Sequence, residues 1–141
     1  MRGPPLNAFA VMQILAVSVA LWLVFTQPIP WDLQREIGAA LVVAGVAGIA
    51  AARYQLGKSF SLRAEARALV TGGVYSKIRN PIYVFGLVMV AGIVLALHRP
   101  MLWILVPIIA IMQTLRARRE AQVLEAAFGD AYREYRRKTW F

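Results

Sequence analysis

Four apolar runs, Ala8–Thr26, Ile37–Ala52, Ile82–Leu97 and Met101–Leu115, take up about half of this 141-residue chain. Sixty per cent of the residues are apolar and only 16% are charged. A soluble domain of this size is mostly surface and could not hide so much apolar area from water. Lipid is the solvent that accepts it. A spanning helix needs about 20 residues, with about 17 as the usual minimum. The last three runs are short as counted, but flanking Arg and Tyr side chains can snorkel and lengthen them. The expected fold is all-α: a polytopic membrane bundle of about four transmembrane helices with a cytoplasmic amphipathic helical tail. Three spans and one re-entrant segment is the rival. The whole of 1–141 reads as one membrane domain, with the first two spans at 8–52 and a helical hairpin with its tail at 69–141. The first run reads as a retained helix, because Gln27-Pro28-Ile29-Pro30 follows it and no A-x-A-like cleavage site does.

The formal charge of +9 is unevenly spread. The segment Gln27–Glu36 carries only Arg35, and the turn His98–Pro100 only Arg99. The segment Arg53–Arg79 and the tail after Leu115 hold most of the remaining basic residues. Positive residues favour the cytoplasmic face, so both termini and the 53–81 loop are expected there. Such placement suits anionic headgroups. It does not suit nucleic acid, since no nucleic-acid-binding motif accompanies the charge. Small residues recur at helical spacing between Gly38 and Ala52, which predicts close helix packing in lipid. In the tail, Leu124, Phe128, Ala131 and Tyr135 fall on one helical stripe, and Gly129-Asp130 reads as a stop followed by a new N-cap. Two short amphipathic helices at the membrane surface are expected there.

The chain has no cysteine and a single histidine, His98. Disulfides, thiolate metal sites, a cysteine nucleophile and a multi-histidine metal centre within the chain are therefore excluded, and no metal ligand is assigned. The predicted turn places His98 on the outer side, far from the polar motifs, which argues against it as a general base.

The stretch Leu69–Gly86, LVTGGVYSKIRNPIYVFG, carries the chemistry. Gly72-Gly73 marks a turn, and Asn80-Pro81 a helix start with Asn80 as N-cap and Pro81 at the first helical position. On local grounds this is simply how a helix begins. Yet Arg79, Asn80 and Tyr83 gather at one N-terminus, where backbone N–H groups favour an anion. Arg116 and Glu120 are expected on the same side of the membrane. A polar pocket between the third and fourth helices, capped by the tail, follows from that placement.

The same residues resemble the isoprenylcysteine carboxyl methyltransferase and phospholipid methyltransferase group of membrane enzymes. Its pattern L-V-T-x-G-x-Y-x-x-x-R-[HN]-P-x-Y-x-G is matched by Leu69, Val70, Thr71, Gly73, Tyr75, Arg79, Asn80, Pro81 and Tyr83, with Gly86 one position late. Its tail pattern E-E-x-x-L-x-x-x-F-G-x-x-Y-x-x-Y is matched by Glu120, Leu124, Phe128, Gly129, Tyr132 and Tyr135, then Arg136, Arg137 and Lys138. Leu56-Gly57-Lys58-Ser59-Phe60 is similar to the group's L-G-x-x-[FW] segment. The likeness covers about Gln55–Lys138. Asn80 stands where histidine is commoner, and Ala121 stands where the group has a second acidic residue.

The resemblance implies S-adenosylmethionine as methyl donor, although nothing reads G-x-G-x-x-G after a strand. It implies that Val74, Tyr75, Arg79, Asn80, Tyr83 and Glu120 hold the cofactor, Val74 through its backbone. It also implies Arg116 and Glu120 as the catalytic pair, with Arg116 orienting an anionic substrate. The partners implied are the bilayer and a lipophilic small-molecule acceptor. Two other functions stay open on the residues. A sterol-reductase-type enzyme using NADPH has a related motif and tail, but this chain is short for one. A non-enzymatic membrane scaffold explains the composition but not the tyrosine and arginine spacing.

Overall fold

The structure is a computed structural model that describes residues 8–57 and 69–141. Arg2, and the residues Lys58, Ser59, Phe60, Arg63 and Arg67 of the basic loop, lie outside the described residues. In chain order the helices are α1 (Ala8–Thr26), α2 (Leu33–Gly57), α3 (Pro81–Ala96), α4 (Leu105–Phe128) and α5 (Asp130–Lys138). Short 3₁₀ turns at Gly73–Ser76 and Pro100–Ile104 precede α3 and α4. No strand occurs among the described residues, only one parallel bridge between Ile78 and Trp140.

Two helical stretches are long and apolar enough to cross a membrane, Leu33–Leu56 and Pro100–Phe128. Val11–Thr26 and Pro81–Ala96 are shorter apolar helices. Large apolar side chains such as Leu15, Trp22, Ile108, Ile111 and Met112 lie exposed on α1 and α4. The interior is small, built on Ala20, Val24, Ala39, Val42, Ile49, Met89 and Ala96. A chain that is apolar on its outside has lipid as its outer solvent.

The centre of the bundle is the α2–α3 pair. A Cβ placed on Gly38 would meet the Ala96 backbone N and the Gly92 carbonyl at 2.6 Å. One on Gly92 would meet Gly38 O at 2.6 Å and Val42 N at 2.8 Å. The small-residue surface of α2 therefore brings backbone against backbone, and dispersion between close-packed helices replaces the hydrophobic drive that lipid removes.

The end of the bundle where α1 meets α2 is tied by Arg35. Only 2% exposed, it donates from Nε and Nη2 to Val24 O (3.2 and 2.7 Å), from Nη2 to Gln27 O (3.1 Å) and from Nη1 to Ile29 O. It thus satisfies the Val24 carbonyl in the last turn of α1 and ties the chain that follows to α2. Its guanidinium also lies 4.1 Å from the Trp31 ring centroid.

The tail differs from expectation. No separate helix starts after Leu115. Residues 116–128 continue α4, because nothing between Pro107 and Gly129 interrupts a run of good helix formers. The break falls at Gly129, in the left-handed region at φ 53°, which only glycine adopts easily. Gly129, and not Asp130, holds the N-cap position of α5. The turn also re-phases the stripe, so that α5 buries Tyr132 and Tyr135 and leaves Ala131 exposed.

Candidate active site

Residues 73–80 of the first motif are held in place from three sides. Gln55, near the end of α2, accepts the Val74 N–H on Oε1 at 2.8 Å. Tyr135 on α5 donates its hydroxyl to Tyr75 O at 2.8 Å. Past α5 the chain runs alongside residues 77–80. Trp140 N donates to Lys77 O (2.8 Å), Arg79 N to Trp140 O (2.9 Å) and Asn80 N to Phe141 O (2.9 Å). Gly73 is needed here, since its φ is +60° and a Cβ would meet the Gln55 amide at 2.4–2.5 Å.

Pro81 begins α3 at its first position, as the sequence predicts. Asn80 occupies the N-cap position, but its side chain makes no capping hydrogen bond. Its carbonyl instead accepts from Tyr83 N (3.1 Å) and Val84 N (3.2 Å). The Asn80 carboxamide is left for another partner.

Tyr83 sits one turn on and donates its hydroxyl to Glu120 Oε1 at 2.5 Å. Arg116 Nε lies 3.5 Å from the same oxygen, across one turn of α4. The start of α3 and the extension of α4 thus meet, around a cavity of about 350 Å³. Tyr75, Arg79, Asn80, Tyr83, Arg116 and Glu120 all line it, in the volume range of small-molecule sites.

Val74 is the exception among the residues singled out by sequence. It is not part of this lining, and its N–H is bound to Gln55 while its carbonyl accepts from Ile78 N at 3.1 Å. His98 lies beyond the far end of α3, where its Nε2 bonds Asp32 Oδ2 at 2.7 Å.

Arg53, Leu56, Pro81, Ile82 and Leu124 complete the lining and were not foreseen there. Arg53 counts as one more cytoplasmic charge by sequence. The signal that could have found it is an arginine directly after a long apolar run; in the structure it contacts Gln13 Oε1 on α1. The chemical character of the cavity is mixed. Three arginines face one carboxylate, and apolar side chains stand beside them. Among the described residues, the Arg79 Nε is buried without a hydrogen-bond partner. A buried guanidinium N–H left unpaired is costly and calls for an acceptor. Burial, reinforced by the neighbouring Tyr135 phenol, pushes the Tyr75 hydroxyl up to about 12, so it stays a neutral donor near pH 7.

Residues 33–131 match the family model described as phospholipid methyltransferase. The chain belongs to the phospholipid methyltransferase family. The match spans α2 to the start of α5 and so includes both halves of the cavity. Comparison with curated proteins and with solved structures gives no match. The family is one of membrane methyltransferases, and the all-helical fold with its two long apolar helices agrees with that.

Proposed function

We propose that the protein is an integral membrane methyltransferase that uses S-adenosylmethionine to methylate a lipid-like or apolar small-molecule acceptor. The observation that carries the reading is the joint lining of one cavity by Asn80 and Tyr83 from α3 and by Arg116 and Glu120 from α4.

The donor set fits the proposed cofactor. Its amino acid end needs an acceptor for a carboxylate and one for an ammonium. The unpaired Arg79 Nε and the uncommitted Asn80 side chain suit the first. Glu120, its Oε1 oriented by Tyr83 and Arg116, suits the second. Tyr75 and Tyr83 offer aromatic faces that attract a sulfonium, and Leu56, Ile82 and Leu124 offer apolar surface to a purine. When bound, S-adenosylmethionine supplies an electrophilic methyl group that an acceptor lone pair takes as the carbon–sulfur bond breaks.

The residues of the chain then bind, orient and exclude water. Positioning of this kind is worth on the order of 7–11 kcal/mol in favourable cases. Arg116 orients an acidic acceptor group or the anionic part of a lipid. A carboxylate acceptor needs no general base. His98 lies too far away to serve as one, across α3 with its length of about 24 Å at 1.5 Å per residue. The basic end of the bundle, with both chain ends and the cavity, faces the cytoplasm in this reading.

The test is transfer of a radiolabelled methyl group from S-adenosylmethionine to extracted lipids and small amphiphiles, with identification of the product. Labelled product that requires Glu120 supports the reading. Absence of product from every lipid class, together with no binding of S-adenosylhomocysteine, ends it.

A further inference from the structure

A second cavity of about 340 Å³ lies among α1, α3 and α4, with Ile49 of α2 also in its wall, and shares Ile82, Tyr83 and Arg116 with the polar one. Its walls are mostly apolar, Met12, Val17, Met89 and Ile109 among them. Two carboxamides interrupt them, Gln13 on α1 and Gln113 on α4. Gln13 has a partner, since its Oε1 takes the Arg53 guanidinium. The Gln113 side chain makes no hydrogen bond to any described residue. Its neighbour Thr114 shows the usual local solution, bonding Ala110 O of its own helix at 2.8 Å.

An unpaired polar group at hydrocarbon depth costs several kcal/mol, and polar residues inside a membrane segment tend to serve function. Space has been left for this one. Gly86 stands opposite on α3, and a Cβ there would lie 3.3 Å from Gln113 Nε2. Gln113, Arg116 and Glu120 are spaced three and four residues apart, on one face of α4. At 1.5 Å per residue, the carboxamide lies about 4.5 Å deeper than Arg116 and about 10 Å deeper than Glu120. With Gln13 across the same cavity, it is therefore a polar group that an acceptor chain meets beyond the Tyr83–Arg116 junction.

We propose that Gln113 is a specificity-determining residue. Its carboxamide hydrogen-bonds an ester, amide or hydroxyl carried by the acceptor within a few bonds of the atom to be methylated, while the acceptor's chain occupies the apolar cavity. The inference rests on the methyltransferase reading and narrows its substrate class to amphiphiles with a polar group just below the head. A site built to hydrogen-bond such a group discriminates against its hydrocarbon analogue far more strongly than an apolar pocket discriminates between chains.

The experiment measures equilibrium binding of chain-matched amphiphiles to detergent-solubilised protein saturated with S-adenosylhomocysteine. One pair is N-palmitoylglycine against nonadecanoic acid. The other is N-(2-aminoethyl)hexadecanamide against nonadecylamine. Each pair differs by an amide near the head. The wild type should prefer the amide member of at least one pair by about tenfold or more. Gln113→Leu should abolish the preference and leave affinity for S-adenosylhomocysteine unchanged. Gly86→Ala, which crowds Nε2 without removing a polar group, should weaken the preference and serves if the first variant fails to fold. Equal binding of both members by a wild type that binds S-adenosylhomocysteine overturns this inference alone, as does a preference that survives in the variants. A wild type that does not bind S-adenosylhomocysteine overturns the functional reading and this inference with it.

Discussion

The contact between Tyr83 and Glu120 joins the two halves of the site, so Tyr83→Phe is the most informative small change. It deletes one hydroxyl and keeps the ring. The lost bond, 2.5 Å long, runs to a carboxylate oxygen. Hydrogen bonds to charged groups contribute about 1.5–3 kcal/mol. The Glu120 side chain is 49% exposed, so water replaces part of what is lost. A loss of about 1–1.5 kcal/mol in ligand binding remains, or roughly 5–12-fold in the Kd of S-adenosylhomocysteine. Isothermal titration calorimetry in detergent measures it, with circular dichroism to confirm an unchanged helical fold. Because Tyr83 acts by orienting Glu120, the effect should vanish when Glu120 is already changed. The double variant Tyr83→Phe/Glu120→Gln should bind no worse than Glu120→Gln alone, within about 0.5 kcal/mol. Fully additive losses would show that Tyr83 works independently of Glu120, and an unchanged Kd in Tyr83→Phe would refute the reasoning outright.

Two further predictions concern the scaffold. Gly92→Val places side-chain atoms where Gly38 O and Val42 N already stand at 2.6 and 2.8 Å, so α2 and α3 must separate. The loss should be at least about 2 kcal/mol in unfolding experiments in detergent, whereas Gly72→Ala, with open space around it and φ −95°, should change stability little. At the end of the bundle away from the cavity, Asp32 raises the pKa of His98 above its ordinary 6.5, while the Arg35 backbone N–H, and then His98, hold Asp32 below its ordinary 3.8. The contribution from His98 is complete below about pH 6.5 and lost as pH rises through its higher folded value; that from Asp32 is complete above about pH 3.8 and lost as pH falls through its lower one. Thermal unfolding followed between pH 5 and 9 should show a drop on the alkaline side that His98→Ala removes.

Much of this arrangement could be read in the residues. Apolar runs locate the helices because lipid tolerates little else, and Asn80-Pro81 marks the start of α3 because proline suits a first helical position. The motif residues Tyr75, Arg79, Asn80, Tyr83, Arg116 and Glu120 reach one cavity because the first four lie at or just before the start of α3 and the last two lie one turn apart on α4. What could not be read depends on contacts between distant segments. Pairing of Trp140 and Phe141 with residues 77–80 is a backbone interaction with no side-chain pattern to announce it. Val74 could be expected to offer its backbone to a ligand, but Gln55, 19 residues earlier, takes its N–H. The continuation of α4 to Phe128 was hidden by the change from apolar to charged composition at Arg116, which marks a change of surface chemistry and not the end of the helix.

The central claim is that the start of α3 and the charged part of α4 form a single site for a nucleotide-derived methyl donor. Titration of S-adenosylhomocysteine into the wild type, Asn80→Ala, Glu120→Ala and His98→Ala tests it directly. The account predicts saturable one-to-one binding, weakened about tenfold or more, roughly 1.4 kcal/mol, by either change at the cavity and untouched by the change at His98. No binding by the wild type, or full affinity in folded Asn80→Ala and Glu120→Ala proteins, would contradict it.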